Sequence, residues 1–125
     1  MKNIQLQADI GKGIAIGWFS KQGYIVSIPI SRHLDYDILV DKGKIERIRI
    51  ITTSYKNESS SFVANLKITS THFYGKLKVK KFENNSCDYI FVICDQLEYY
   101  LIPTNQISST TKLTMSMYSN FKVNV

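Results

Sequence analysis

The chain has 125 residues, of which 44% are hydrophobic and 21% charged, with a formal net charge of +6. At roughly 100–200 residues per domain, this length predicts one domain over residues 1–125, with enough buried surface for its own core. The composition excludes an intrinsically disordered chain. No apolar run nears the ~18–20 residues that cross a bilayer, so no membrane partner is expected.

The positive charge is concentrated. Residues 1–41 hold four basic and four acidic groups and balance, residues 42–82 hold ten basic and two acidic groups for a net +8, and residues 83–125 hold two basic and four acidic groups for a net −2. A basic region of this density favours a polyanion such as nucleic acid, through steering and counterion release. The plainer alternative is that it only keeps the chain soluble. Met1-Lys2-Asn3-Ile4-Gln5 has no apolar signal core behind it, so a cytoplasmic location is expected. Cys87 and Cys94 then read as reduced thiols, and two cysteines are too few for a zinc cluster.

The first element is a helix. Ile4, Leu6, Ile10, Ile14 and Trp18 recur at intervals of about three to four, Ala15 and Phe19 widen the stripe, and Gly23 is the natural stop. Gly11, Gly13 and Gly17 weaken such a helix and allow it to approach a sheet closely. Gly11-Lys12-Gly13 is not a phosphate loop, because it lacks a preceding strand and the full glycine spacing. Tyr24 to Ile28 reads as a strand closed by Pro29, and Tyr36 to Val40 as a second strand. Lys42-Gly43 turns the chain into a third strand, Ile45 to Thr53. There Ile48 and Ile50 alternate with Arg47, Arg49 and Ile51, giving one apolar and one mixed face. Residues 56–61 form a polar loop, and two strands are expected at Phe62 to Thr69 and Phe73 to Phe82, paired around His72. Asp88 to Cys94 is nearly all apolar, as a strand covered on both faces should be. Tyr99 to Pro103 is its expected partner, Thr104 to Thr110 a short helix or turn, and Lys112 to Met117 a last strand. The expected class is α+β, one long helix packed on a mixed, mainly antiparallel sheet.

Phrases spread along the chain resemble the PD-(D/E)XK nuclease superfamily, and within it the small endonucleases associated with group I introns. They are Asp9-Ile10-Gly11-Lys12-Gly13-Ile14-Ala15, Gln22-Gly23-Tyr24-Ile25-Val26 leading to Pro29, Tyr36-Asp37-Ile38-Leu39-Val40-Asp41, Arg47-Ile48-Arg49-Ile50-Ile51-Thr52-Thr53, Asp88-Tyr89-Ile90-Phe91-Val92 and Tyr100-Leu101-Ile102-Pro103. The resemblance implies a restriction-endonuclease-like core. It also implies a chemistry in which carboxylates hold Mg²⁺ that activates water and offsets charge on a phosphodiester, with a lysine beside them. In that branch the helix supplies Glu, the second strand Asp and the third strand Gln-x-Lys. Carried over position by position, the Asp falls on Asp37, the Glu on Lys12, the Gln on Arg49 and the Lys on Ile51. Only Asp37 is retained. Two unit like charges roughly 4 Å apart oppose each other by on the order of 4 kcal/mol at an effective dielectric near 20, and a divalent ion feels about twice that. The expectation is therefore a nuclease fold with cleavage lost or impaired, no resident cofactor (Mg²⁺ if the protein is active), and Asp37 ion-paired to Lys12 or Arg49, or to both.

Lys76, Lys78 and Lys80 alternate along a strand and would stand on one face about 7 Å apart, near the phosphate spacing, with Lys81 beside them. With Arg47 and Arg49 they form the expected nucleic-acid-binding set, DNA ahead of RNA, while Phe73, Tyr74 and Tyr55 could stack on bases. The competing reading is an edge strand that uses lysines against aggregation. His33 and His72 lack partners at metal-ligand spacing, and no nucleophile elbow is present. Two other functions stay open: an active metal-dependent DNA endonuclease with a rearranged site, and an interaction or inhibitor protein of a mobile element that uses its basic face. A domain this small cannot surround a duplex alone and the resemblance implies assembly, so a homo-oligomer, a dimer or larger, is expected.

Overall fold

The computed structural model describes residues 4–71 and 77–125. Helix α1 spans Ile4–Lys21. Its end is fixed by hydrogen bonding: Tyr24 N–H donates to Phe19 O at 3.2 Å and Gly23 N–H to Ser20 O at 2.9 Å, with Gly23 at φ 89°. This paired closure needs a left-handed residue, which glycine supplies without a Cβ penalty. The expected stop at Gly23 holds. The buried stripe differs from the expected one. Gly11, Ala15 and Phe19 face the sheet, whereas Leu6 and Ile10 remain exposed.

Strands β1 (Ile25–Ser27), β2 (Ile38–Asp41), β3 (Ile45–Thr53), β4 (Val63–Asn65), β5 (Ile68–Thr71), β6 (Leu77–Lys80), β7 (Tyr89–Cys94), β8 (Glu98–Pro103), β9 (Lys112–Thr114) and β10 (Lys122–Val123) follow. The main sheet has six strands in the order β1-β2-β3-β7-β8-β10, and β4-β9 and β5-β6 form two-stranded ribbons. Only the β3–β7 pairing of the main sheet is parallel. The sheet is thus mixed and mainly antiparallel, with α1 packed on one face.

Strand alternation sorts the core into two layers. On the helix face, Ala15 and Phe19 meet Ile38, Val40, Ile48, Phe91 and Ile93. On the other face, Ile51, Ile90, Val92 and Ile102 meet Ala64, Leu66, Leu113 and Met115. Strand β7 feeds both layers, as its unbroken apolar run predicts. Fully burying each such aliphatic or aromatic side chain is worth about 1.5–3 kcal/mol.

Three local expectations change. The strand expected from Phe62 to Thr69 is two strands, because Leu66 N–H donates to Thr111 O at 2.9 Å and the Leu66 and Lys67 carbonyls turn toward Arg49. The last expected strand stops at Thr114 and a 3₁₀ segment, Met115–Phe121, follows, because Met115 and Tyr118 are drawn into the second layer. Strand β10 then adds to β8, an edge pairing that no local sequence pattern marks. In the expected strand Phe73 to Phe82, residues 72–76 lie outside the described residues. The described part, β6, pairs antiparallel with β5.

Candidate functional site

The β1–β2 connection carries Pro29, which cannot donate to a ladder, and the chain leaves the sheet until Asp37. Asp37 re-enters with its N–H donating to Ile48 O at 2.8 Å, and its Oδ2 accepts from Ile50 N–H at 2.7 Å. The carboxylate therefore extends the ladder to β3 just before β2 begins. Around it opens a cleft of about 910 Å³ walled by α1, this connection and β3. Asp9 and Lys12 line it from the helix, Arg32 and Asp37 from the connection, and Ile50 and Thr52 from β3.

Parity on β3 decides which side chains reach the cleft. Ile48 and Ile50 lie on the helix face, and Ile51 belongs to the opposite layer with Leu66. Arg49 also points away from the cleft. It is buried and donates to Leu66 O at 2.8 Å and to Lys67 O at 3.4 Å. Thus Lys12 and Asp37 share the cleft, whereas Arg49 and Ile51 do not line it. Asp9, Ile50 and Thr52 stand there instead. The signal was present in the sequence: the face of β3 that is apolar is the one a helix covers, and the even-numbered residues occupy it.

No ion pair within 4.0 Å joins Asp37 to Lys12 or Arg49 among the described residues, so the expected direct pairing is replaced by action at longer range. Burial raises the Asp37 carboxyl above its ordinary value, against the opposing pull of Ile50 N–H and of the Lys12 and Arg49 charges. Burial likewise lowers Arg49, opposed by Cys87, Asp37 and Asp35.

The remaining expected cations have varied surroundings. Arg47 bonds Asp88 through Nε at 3.3 Å, donates to Ser86 O and Asn85 O, and lies over the Tyr36 ring at 6.0 Å. Burial would raise Asp88, yet the side-chain and backbone donors of Arg47 outweigh it and hold the carboxyl below its ordinary value. Lys80 pairs with Asp35 at 2.8 Å, which occupies it within the protein. Lys81 is exposed and Lys78 sits opposite Ser70 in the β5–β6 ladder. Lys76 lies outside the described residues.

A divalent ion of the Mg²⁺ type takes oxygen ligands in near-octahedral geometry, usually from one or two carboxylates plus substrate phosphate. One oxygen of Asp37 is already committed to Ile50, Asp9 accepts from Gln5 Nε2 at 3.1 Å, and β3 contributes no carboxylate. Among the described residues no three of His, Cys, Asp and Glu come together. With Lys12 on the wall, this set does not fit a metal held as the resembled family holds it.

Residues 2–122 match the model of the PD-(D/E)XK endonuclease family. Among solved structures, a bacterial homing endonuclease, I-Ssp6803I, is similar with a TM-score of 0.76 and 21% identity, over 90% of this chain and 78% of that one. No curated protein matches by sequence. The structural likeness is one of fold, and no helix among the described residues is long and apolar enough to cross a membrane.

Proposed function

Because this chain belongs to the PD-(D/E)XK endonuclease family, we propose that it binds nucleic acid on an endonuclease-like fold and has lost metal-dependent cleavage at the Asp37 cleft. The observation that carries this reading is the makeup of the cleft wall. Beside the one retained acid, β3 presents Ile50 and Thr52 where the resembled site has its amide and lysine, and the helix presents Lys12 together with Asp9, which already accepts from Gln5. A phosphodiester entering there would meet Lys12 and Arg32 as counter-charges rather than a metal cluster. The net +8 of residues 42–82 supplies the wider attraction, with Lys44, Lys67 and Lys81 exposed and in no ion pair among the described residues. DNA is the expected partner ahead of RNA, and a second copy of the chain is expected to extend the surface around a duplex.

The test is a mobility-shift and cleavage panel of duplex, single-stranded and RNA probes with and without Mg²⁺ or Mn²⁺. Binding that weakens steeply with salt, without cleavage, is the expected result. A second reading, an active endonuclease with a rearranged site, is favoured by Asp9, Lys12 and Asp37 lining one cleft. Metal-dependent cleavage abolished by both Asp37→Ala and Asp9→Ala would establish it instead.

A further inference from the structure

Next to the cleft, on the far side of Thr52, runs an open groove of about 680 Å³. Thr52 lines both, so the two depressions share a wall. The groove is walled by Tyr55, Asn65, Lys67 and Lys112, with Ile51 in its floor, and among the described residues no aspartate or glutamate lines it. Lys67 and Lys112 are exposed and in no ion pair among the described residues. The Tyr55 side chain, on a residue 65% exposed, makes no hydrogen bond or ring contact there either.

These groups stand on fixed backbone. Tyr55 N–H donates to Thr53 Oγ1 at 3.2 Å, and Tyr55 O accepts from Val63 N–H at 3.0 Å. Lys67 N–H donates to Asn65 Oδ1 at 3.0 Å, while Arg49 grips Lys67 O. Lys112 is locked opposite Asn65 in the β4–β9 ladder. A large ring left uncovered on pinned backbone, with two cations as the charged groups among the described lining residues, matches what an unpaired nucleic-acid strand requires: a face for a base and positive charge for its phosphates.

We propose that this groove is a second nucleic-acid subsite, which takes a single strand running from the Asp37 cleft past Thr52, a base stacked on Tyr55 and phosphates on Lys67 and Lys112. The proposal rests on the nucleic-acid-binding reading above and adds to it the class of ligand and its place. An acidic peptide would use the lysines but would gain little from an exposed aromatic face.

The experiment measures fluorescence anisotropy of a labelled single-stranded 12-mer and of the matched duplex across a salt series. Thermal melting confirms that each exposed-site variant is folded. Tyr55→Leu should weaken single-strand binding about 5- to 100-fold and Tyr55→Phe should bind as the parent does. Lys67→Ala with Lys112→Ala should reduce the single-strand salt slope by about 1.4, at roughly 0.7 per phosphate. The duplex should change far less. The groove assignment is overturned if Tyr55→Leu binds normally, if the duplex loses as much as the single strand, or if poly-glutamate binds with the same Tyr55 dependence. If Lys12→Ala and Arg32→Ala weaken binding while the groove variants do not, the groove alone fails. If the parent protein binds no oligonucleotide at low salt, the wider reading fails with it.

Discussion

Replacing Gly11 by alanine tests how tightly the helix is pressed onto the wall of the cleft. A Cβ built at Gly11 would run into Thr52 Cγ2, and it would stand 3.7 Å from Ile50 Cγ2 and 3.8 Å from Ile93 Cδ1. The last two are ordinary contacts, so the conflict is with one methyl of a short β-branched side chain that cannot swing clear. Overpacking of this kind costs about 1–3 kcal/mol. Against it, alanine in a helix interior is favoured over glycine by about 1 kcal/mol. Gly11→Ala should therefore destabilise by about 0–2 kcal/mol. Gly13 and Gly17 have nothing within 4 Å of an added Cβ, so Gly13→Ala and Gly17→Ala should each gain about 1 kcal/mol. For a chain of this size 1 kcal/mol moves the melting temperature by about 3–6 °C, so the opposite signs are resolvable by calorimetry or circular dichroism. Thr52→Ser removes the obstructing methyl. In that background Gly11→Ala should turn stabilising, a coupling that a double-mutant cycle reads directly. Three alanine variants shifting together, with no coupling to Thr52, would refute the claim that α1 is seated by a close approach at Gly11.

Asp37→Asn keeps an acceptor for Ile50 N–H and removes the charge. Because burial raises the folded carboxyl above its ordinary 3.8, the stability it contributes is complete below that value and is lost as pH rises through the folded value. The variant should gain on the parent from pH 3 to pH 7 in urea midpoint, and a pH-independent difference would count against the assignment. Asp88 has the opposite sign: held low by Arg47, it stabilises above the ordinary carboxylate value and ceases to do so as pH falls through its folded value, so Asp88→Asn should flatten the acid limb of the stability curve. Arg49→Met should cost about 2–3 kcal/mol through lost charged donors to buried carbonyls, yet leave the salt slope of oligonucleotide binding unchanged, whereas Lys81→Ala should reduce that slope by about 1. Cys94 is buried with its thiol pushed up to about 12, mainly by burial, so it should resist iodoacetamide at pH 8 until denaturant opens the fold.

Local chemistry was enough for much of the architecture. The helix and its end at Gly23, the hairpin through Lys42-Gly43, and the central position of the apolar strand Tyr89–Cys94 all follow from periodicity, turn chemistry and the lack of polar positions. The same alternation on β3 separated Ile48 and Ile50 from Arg47, Arg49 and Ile51, and so held the information about which residues face a covering helix. Long-range pairings were not legible. Arg49 finds carbonyls 17 and 18 residues away, Lys80 finds an acid 45 residues away, and β10 returns to β8, none of which a local pattern records. Spacing along a chain sets the face on which a side chain emerges. Which distant group occupies that face is settled only when the layers close, because burial and charge act across space rather than along the backbone. The cleft lined by Asp9, Lys12, Asp37, Ile50 and Thr52 and the adjoining groove of Tyr55, Lys67 and Lys112 both exist only at that level.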